Sequence, residues 1–490
     1  LERRNFRNEK NKRGDINMTV SWRNYNLIQP QAVVYTDTTG LSSVGLSASG
    51  ILAMIGTAES GTPNIATSYT SAADARNDFR DGNLLTAAEY AWAQGARQIY
   101  LTRVGATSGT AADRPCQQAT LNLQASAVDA LTVNSRGYGS WNNSIKAKVE
   151  TGTSSGKKVT IQYYNTSTGV TTTESEDNLA DASAIVGWLG NSSTLCSGTV
   201  LSGALVPDNI SYTNLAAGGD GTSPTAANWQ TAIELYDEVS ADLITTVTSD
   251  SAVHALLSTA VTSASNNKFE RIGIVGGATG LSVGSWDTDD SIINAAYDLN
   301  SDRMVYVSPG TDTVAPYFTA AKVAGKIAAA DVATPLTHQI VTASSIETKF
   351  TSSQKDDLIT YGVTAIEEVT SGRRIIRGVT TAQDLSTTTE NPFKEISVRR
   401  VADYINKTVR DNLEALYIGK KGTTGTESAI AATVTSLLLQ MKEQQIIVGF
   451  KDVVVSKSTT NATVYYVYYK VAPIQPVNYI CITTVLTSTL

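Results

Sequence analysis

The chain has 490 residues, of which 41% are hydrophobic, with 38 Lys plus Arg against 45 Asp plus Glu. That length predicts two to four domains, the apolar fraction excludes disorder of the whole chain, and the mild negative balance argues against a dedicated nucleic-acid binder. Charged residues are only 17% of the chain, so Ser, Thr, Asn and Gly must cover much of the exterior, which suits a subunit that packs against copies of itself.

Cys116, Cys196 and Cys481 are too few and too scattered for a disulfide framework. His254 and His338 stand far apart, which speaks against a Cys/His zinc site. No apolar run reaches membrane-span length, and the N-terminus lacks the apolar core of a secretion signal. Residues 1–14 carry Arg3, Arg4, Arg7, Lys10, Lys12 and Arg13 against Glu2 and Glu9, and 1–19 reads as a basic flexible tail. Met18 is a candidate biological start.

Between 20 and 37, Val20, Trp22, Tyr25, Leu27, Val33, Val34 and Tyr35 form short extended pieces around Pro30, an edge strand or an arm. A buried strand is expected at 51–56, helices at 70–79 and 84–94 with Gly95 closing the second, and a strand at 98–104. Short strands and polar loops fill 106–240, with 158–163 the clearest strand and 181–189 and 228–238 helical. From 243 the text alternates: strands at 243–247, 271–275 and 303–307, and helices at 253–261, 291–299 and 316–330. A strand is expected at 373–379. The longest helix is expected at 396–416, with Val398, Val401, Ala402, Ile405, Val409 and Leu413 on one stripe. A helix at 430–441, a short strand at 453–455, a Tyr/Val-rich strand at 464–471 and an extended piece at 479–485 follow.

No catalytic constellation emerges, and we expect neither an enzyme nor a cofactor. Gly218-Gly219-Asp220-Gly221 lacks the Lys-Ser/Thr of a phosphate loop and the ligand spacing of a calcium loop, and reads as a turn. Gly277 and Gly280 match two glycines of a dinucleotide loop, but Val275 holds the place of the first. Gly280-Leu281-Ser282-Val283-Gly284 matches a nucleophile elbow, but the expected strand stops at Val275 and no helix opens on Ser282. Glu367-Glu368 and Asp356-Asp357 are neighbours whose side chains point apart, so neither makes an acid/base couple. Arg373-Arg374 and Arg399-Arg400 are read as salt-bridge partners at a subunit interface.

Six segments, in order, resemble the contractile tail sheath family of phages and related injection systems. They are Ile51 to Gly61; Ala87 to Val104; Arg136-Gly137-Tyr138-Gly139-Ser140-Trp141-Asn142-Asn143; Leu215 to Ala227; Glu395 to Ile405; and Val471 to Ile480. The third departs from the family's Gly-Trp-Gly-Asn turn at Ser140 and Asn142. The Trp- and Arg-rich linker of the family is reduced here to Gly372–Gly378, without a tryptophan.

The resemblance implies an α/β (α+β) fold: a discontinuous inner domain from N- and C-terminal parts, an inserted outward-facing α/β domain, and extended terminal arms. The expected division is a tail at 1–19, a linking arm at 20–40, inner domain at 41–110 and 356–460, an insertion at 111–355, and C-terminal strands and arm at 461–490. The resemblance further implies a virion subunit that stacks as six-membered rings around an inner tube. Contraction then drives the tube through a target envelope, with baseplate and tail terminator proteins as further partners and no nucleic acid or membrane insertion. Val33, Val34, Tyr35, Val464, Tyr466, Val467 and Tyr469 are the expected intersubunit linkage, and Arg399 and Arg400 the expected contact to tube or neighbour. Another self-assembling shell or surface-layer protein is the alternative.

Overall fold

The computed structural model describes residues 20–22, 25–27, 46, 49–106, 116–165, 169–237, 239–383 and 391–484. Residues 1–44 form a unit of their own. In it β1 (Val20–Trp22) and β2 (Tyr25–Leu27) pair antiparallel, Trp22 opposite Tyr25.

The second unit begins with β3 (Leu52–Gly56), β4 (Thr67–Tyr69), α1 (Ala72–Phe79), α2 (Asn83–Ala93) and β5 (Ile99–Arg103). Ser71 caps α1 by accepting from the Asp74 amide, which satisfies a free first-turn N–H. Gly95, at φ 102°, takes the turn out of α2 that a side chain resists. Next come β6 (Gln118–Ala125), β7 (Val128–Tyr138), β8 (Lys146–Thr151), β9 (Lys157–Asn165), β10 (Val170–Leu179), α3 (Ala182–Asn191), β11 (Cys196–Val200) and β12 (Ile210–Asn214). These make two antiparallel sheets, β10-β9-β8-β12 and β11-β7-β6. Leu123, Leu131 and Val133 share one core with Val149, Val159, Ile161, Ile185 and Leu189.

The chain then supplies α4 (Ala226–Glu234), β13 (Leu243–Thr246), α5 (Ser251–Asn266), β14 (Ile272–Gly276), α6 (Ile292–Leu299), β15 (Met304–Ser308), α7 (Pro316–Ala329), β16 (Ile340–Val341), α8 (Ser352–Thr360), β17 (Val363–Val369) and β18 (Gly372–Ile375). Its strands join β3, β4 and β5 in one sheet of order β16-β18-β17-β15-β14-β13-β3-β5-β4. The six strands from β17 to β5 run parallel. Their wholly buried runs, such as Met304–Ser308, are what a parallel sheet covered on both faces requires. The strands of 243–308, placed in the expected 111–355 insertion, therefore lie in one sheet with 52–56, to which 243–246 pair directly. The fold is mixed α/β throughout.

The remainder is α9 (Ile396–Tyr417), α10 (Thr426–Glu443), β19 (Ile447–Lys457) and β20 (Tyr465–Pro473). The expected strand at 453–455 is thus part of an 11-residue one. Residues 474–484 form no regular element.

The turn after β15 carries a buried cation. Lys322 of α7 is 1% exposed and lies 4.4 Å from the Tyr90 ring centre. Its ammonium donates to Asp312 and to Thr311 Oγ1 (2.9 Å), while Ser344 Oγ donates to Asp312 Oδ1 (2.6 Å). Burial alone would raise the Asp312 pKa; the bonds from Lys322 and Ser344 outweigh it and hold the group at about 2. A depressed carboxylate stabilises the fold above its unfolded pKa, and that contribution is lost as pH falls toward 2. We expect Asp312→Asn to cost about 2 kcal/mol at pH 7, and the gap between variant and wild-type urea midpoints to close progressively below pH 4.

Candidate assembly surfaces and the joints that hold them

Four of the six singled-out segments meet where the 116–216 sheets join the large sheet. Arg103, at the C-terminal end of β5, is 1% exposed. Its guanidinium donates to Gly61 O (3.0 Å), Tyr138 O (2.7 Å) and Asp220 Oδ1 (3.5 Å), tying together three chain segments. Asp220 also accepts from the Ser140 amide (3.1 Å). Asn143 closes a two-way clasp with Gly218: Nδ2 donates to its carbonyl (3.0 Å) and Oδ1 accepts from its amide (2.8 Å). A Cβ on Gly139 would lie 2.0 Å from Glu59 O, so only glycine allows this approach. Burial and the nearby carboxylates of Asp81 and Asp220 raise the Glu59 pKa, against the pull of Arg103. Gly218–Gly221 and the Arg136–Asn143 turn are therefore two halves of a structural joint.

The other two segments meet at a second joint. Glu395, ahead of α9, accepts from Arg377 Nε (2.7 Å) and from Asn478 Nδ2 (2.8 Å). Thr337 Oγ1 donates to Asn478 Oδ1 (3.2 Å). The chain end beyond β20 is thereby held against the start of α9.

Between these joints α9 crosses the N-terminal ends of the parallel strands on a row of ion pairs. Arg303, just before β15, donates to both oxygens of Asp403 (2.9 and 3.0 Å). Arg399 binds Asp302 (3.0 Å) and also Asp403, with its guanidinium 4.4 Å from the Phe393 ring centre. Lys407 pairs with Asp242 ahead of β13 (3.1 Å), and Arg410 with Glu270 ahead of β14 (2.5 Å). Arg400 is buried, and its donors reach the carbonyls of Ala330 and Asp331 beyond α7 (both 3.3 Å). Burial lowers the Arg400 pKa to about 10, against the pull of Asp242 and Asp331. Arg399 and Arg400, the expected contact to tube or neighbour, are both buried here with their guanidiniums engaged inside the chain. Arg373 and Arg374 likewise bind Glu368 (2.6 Å) and Glu367 (2.8 Å) across the β17–β18 turn rather than across an interface.

The clearest open surface is the β19–β20 ribbon. Among the described residues no third strand pairs with it. One face turns to the helices: Tyr465, Val467 and Tyr469 are half-buried, and burial raises the Tyr469 pKa. The other presents Val448, Val454, Tyr466 and Tyr468, each more than half exposed. Beyond it Val477, Tyr479, Ile480 and Ile482 are 78–82% exposed. A cavity of about 930 Å³ runs beside β20, lined by residues including Leu416, Ile418, Lys421, Tyr465 and Val467.

Of the expected linkage residues, Tyr466, Val467 and Tyr469 lie in β20 and Val464 immediately precedes it. Val33, Val34 and Tyr35 lie outside the described residues. Tyr468 and Val454 are exposed on the same ribbon but were not among the expected residues; exposure alternates along Tyr465–Lys470, whereas the sequence there is apolar at five successive positions and could not single out Tyr468. Ser282 sits exposed in a loop, and no strand runs into it.

The phage tail sheath C-terminal domain matches residues 388–487. The tail sheath protein of Bacillus phage SP01 is 32% identical over 286 residues, which are 56% of this chain and 48% of that protein. That of Staphylococcus phage Twort is 27% identical over 49% of this chain and 41% of its own length. Residues 388–487 thus match a tail sheath C-terminal domain, and the chain is similar to phage tail sheath proteins over about half of its length. It spans about half the length of these relatives. A solved sheath tail protein from Listeria innocua shares the fold at a TM-score of 0.69 and 16% identity, covering 88% of this chain and 94% of its own. One from Desulfitobacterium hafniense does so at 0.66 and 14%, covering 90% and 100%. The sheath resemblance read from the six segments is borne out. Two of those segments, at 395–405 and 471–480, fall inside the matched C-terminal domain.

Proposed function

We propose that this chain is a structural subunit of a contractile tail sheath. It polymerises around an inner tube as stacked six-membered rings, contracts to drive the tube through a target envelope, and meets baseplate and terminator proteins at the ends. The virion, or a phage-like particle, is its place. The observation that carries the reading is the two-stranded β19–β20 ribbon with unpaired edges beside an exposed apolar tail. Unpaired edges recruit strands from other chains by main-chain hydrogen bonds, and a tail of exposed Val, Tyr and Ile is what such a donor strand needs. The helical sheath of the anti-feeding prophage, in its contracted state, supports it at the level of fold, with a TM-score of 0.54.

In this reading residues 391–484 form the linking part of the subunit, and arms at 20–40 and beyond 478 cross to neighbours. The insertion is best drawn as 116–216, since 243–246 pair with 52–56 and the strands up to 308 extend the same sheet. It leaves the sheet at the C-terminal ends of its strands, while α9 lies across the N-terminal ends, so the two are at opposite ends of the subunit.

Negative-stain electron microscopy of the purified chain at high concentration tests the proposal. Hollow striated tubes or stacked rings are expected. Flat lattices would instead favour a surface-layer protein.

A further inference from the structure

Next to the first joint, a cavity of about 290 Å³ opens between the edge strand β4, the end of α1 and the turn at 136–145. Arg80 stands on its wall. The residue follows α1 at φ 63° and ψ −61°, a strained conformation for a side chain of this size. Such strain persists where the surroundings impose it, and it clusters at binding sites. The Arg80 guanidinium lies 4.1 Å from the Trp141 ring centre and 5.1 Å from that of Tyr163. Trp141 is itself fixed by donating to Tyr163 Oη (2.7 Å). Arg80 has no ion pair or side-chain hydrogen bond among the described residues, and its buried Nε has no partner. The nearest carboxylate, Asp78, accepts from Tyr69 Oη (2.7 Å). Burial lowers the pKa of Arg80, with Tyr163 and Asp78 opposing weakly, as for a cation taken from water without an acceptor.

A cation partly withdrawn from water without an acceptor is costly, and the planar fork of a guanidinium presents parallel donors to a planar anion. We propose that this cavity is a carboxylate-binding site, with Arg80 as the anchoring cation and Trp141 as the platform that orients it. The carboxylate comes either from a free small acid or from an acidic side chain of a second copy of this chain; the second source rests on the assembly reading above.

Succinate separates the possibilities, tested on the full chain at constant ionic strength against sodium chloride and against uncharged succinamide. Thermal unfolding and tube formation are both followed. Succinate is expected to raise the wild-type midpoint saturably, with the response about tenfold weaker or more in Arg80→Gln and partly kept in Arg80→Lys. Without succinate, Arg80→Gln should keep or raise the wild-type midpoint, because it removes a desolvated charge. Succinate without effect on wild type, together with a folded Arg80→Gln that fails to assemble and an Arg80→Lys that recovers part of the assembly, assigns the carboxylate to a second copy. The proposal is overturned if Arg80→Gln answers to succinate as wild type does. It is overturned too if Arg80→Gln merely lowers the midpoint, with succinate silent and assembly intact, which is the mark of a structural stack. Should wild type itself not assemble, a silent succinate titration also overturns it, while the failed tubes count separately against the sheath reading.

Discussion

Replacing Asp403 by alanine is expected to destabilise the docking of α9 by about 3–5 kcal/mol, because it leaves a desolvated cation without its acceptor. Asp403 is 11% exposed at its side chain and Arg303 13%. The carboxylate takes a two-pronged grip from Arg303 and a further bond from Arg399. Arg399 would keep Asp302, but Arg303 would be left with only the Arg271 carbonyl at 3.3 Å. The loss should appear as faster amide exchange along α9 and α10, with exchange in the 116–216 sheets unchanged. Asp403→Asn, which keeps an acceptor but not the charge, should fall between. Unchanged exchange in α9 for the alanine variant would mean that apolar contacts of Ile396, Val401 and Ile405 hold the helix without the ion pairs.

This row of pairs marks what the sequence disclosed and what it did not. The stripe Val398, Val401, Ala402, Ile405, Val409 and Leu413 was legible, because a period near 3.6 announces a buried helix face; the four β-branched residues are buried, and Ala402 and Leu413 at its margin are half-buried. The arginines were not, since a charged residue by default reads as solvated or as an interface contact. Their partners carry a weak signal: Asp242, Glu270 and Asp302 each stand one or two residues ahead of a parallel strand. Only the sheet order makes that regularity meaningful, since it sets those three strand ends side by side.

Strands were legible where alternation or a continuous apolar run was strong, as at Ile99–Arg103 and Tyr465–Pro473. The division of the chain was not. Nothing local in Leu243–Thr246 says that its neighbour is Leu52–Gly56, a long-range parallel pairing. The joint residues Arg103, Asn143 and Asp220 were quoted for their resemblance, and the contacts of Arg103 with Asp220 and of Asn143 with Gly218, across 75 residues or more, explain why arginine, asparagine and aspartate stand there.

Val467→Pro should abolish tube formation while leaving the ribbon folded, and the argument is one of hydrogen-bond parity. Ser458 N donates to Val464 O, which makes that opposed pair a hydrogen-bonded one. Opposed pairs in an antiparallel ladder alternate between bonded and non-bonded. With the register Lys457↔Tyr465, Ser456↔Tyr466 and Val455↔Val467, the Tyr466 groups point inward to β19. Those of Tyr465 and Val467 point outward to the open edge and its cavity. Proline at 467 therefore removes only an outward donor, which an edge strand tolerates, yet denies it to an incoming strand. Proline at 466 breaks a bond inside the ribbon and should cost about 3 kcal/mol or more. The expected pattern is Val467→Pro with a wild-type thermal profile and no tubes, and Tyr466→Pro with a lowered profile and no tubes. Full-length tubes from Val467→Pro would rule out strand addition at the β20 edge. The partner strand would then belong on the β19 edge, where Val455 presents the equivalent outward groups, the Lys457 amide being taken by Glu427 Oε1 (2.8 Å).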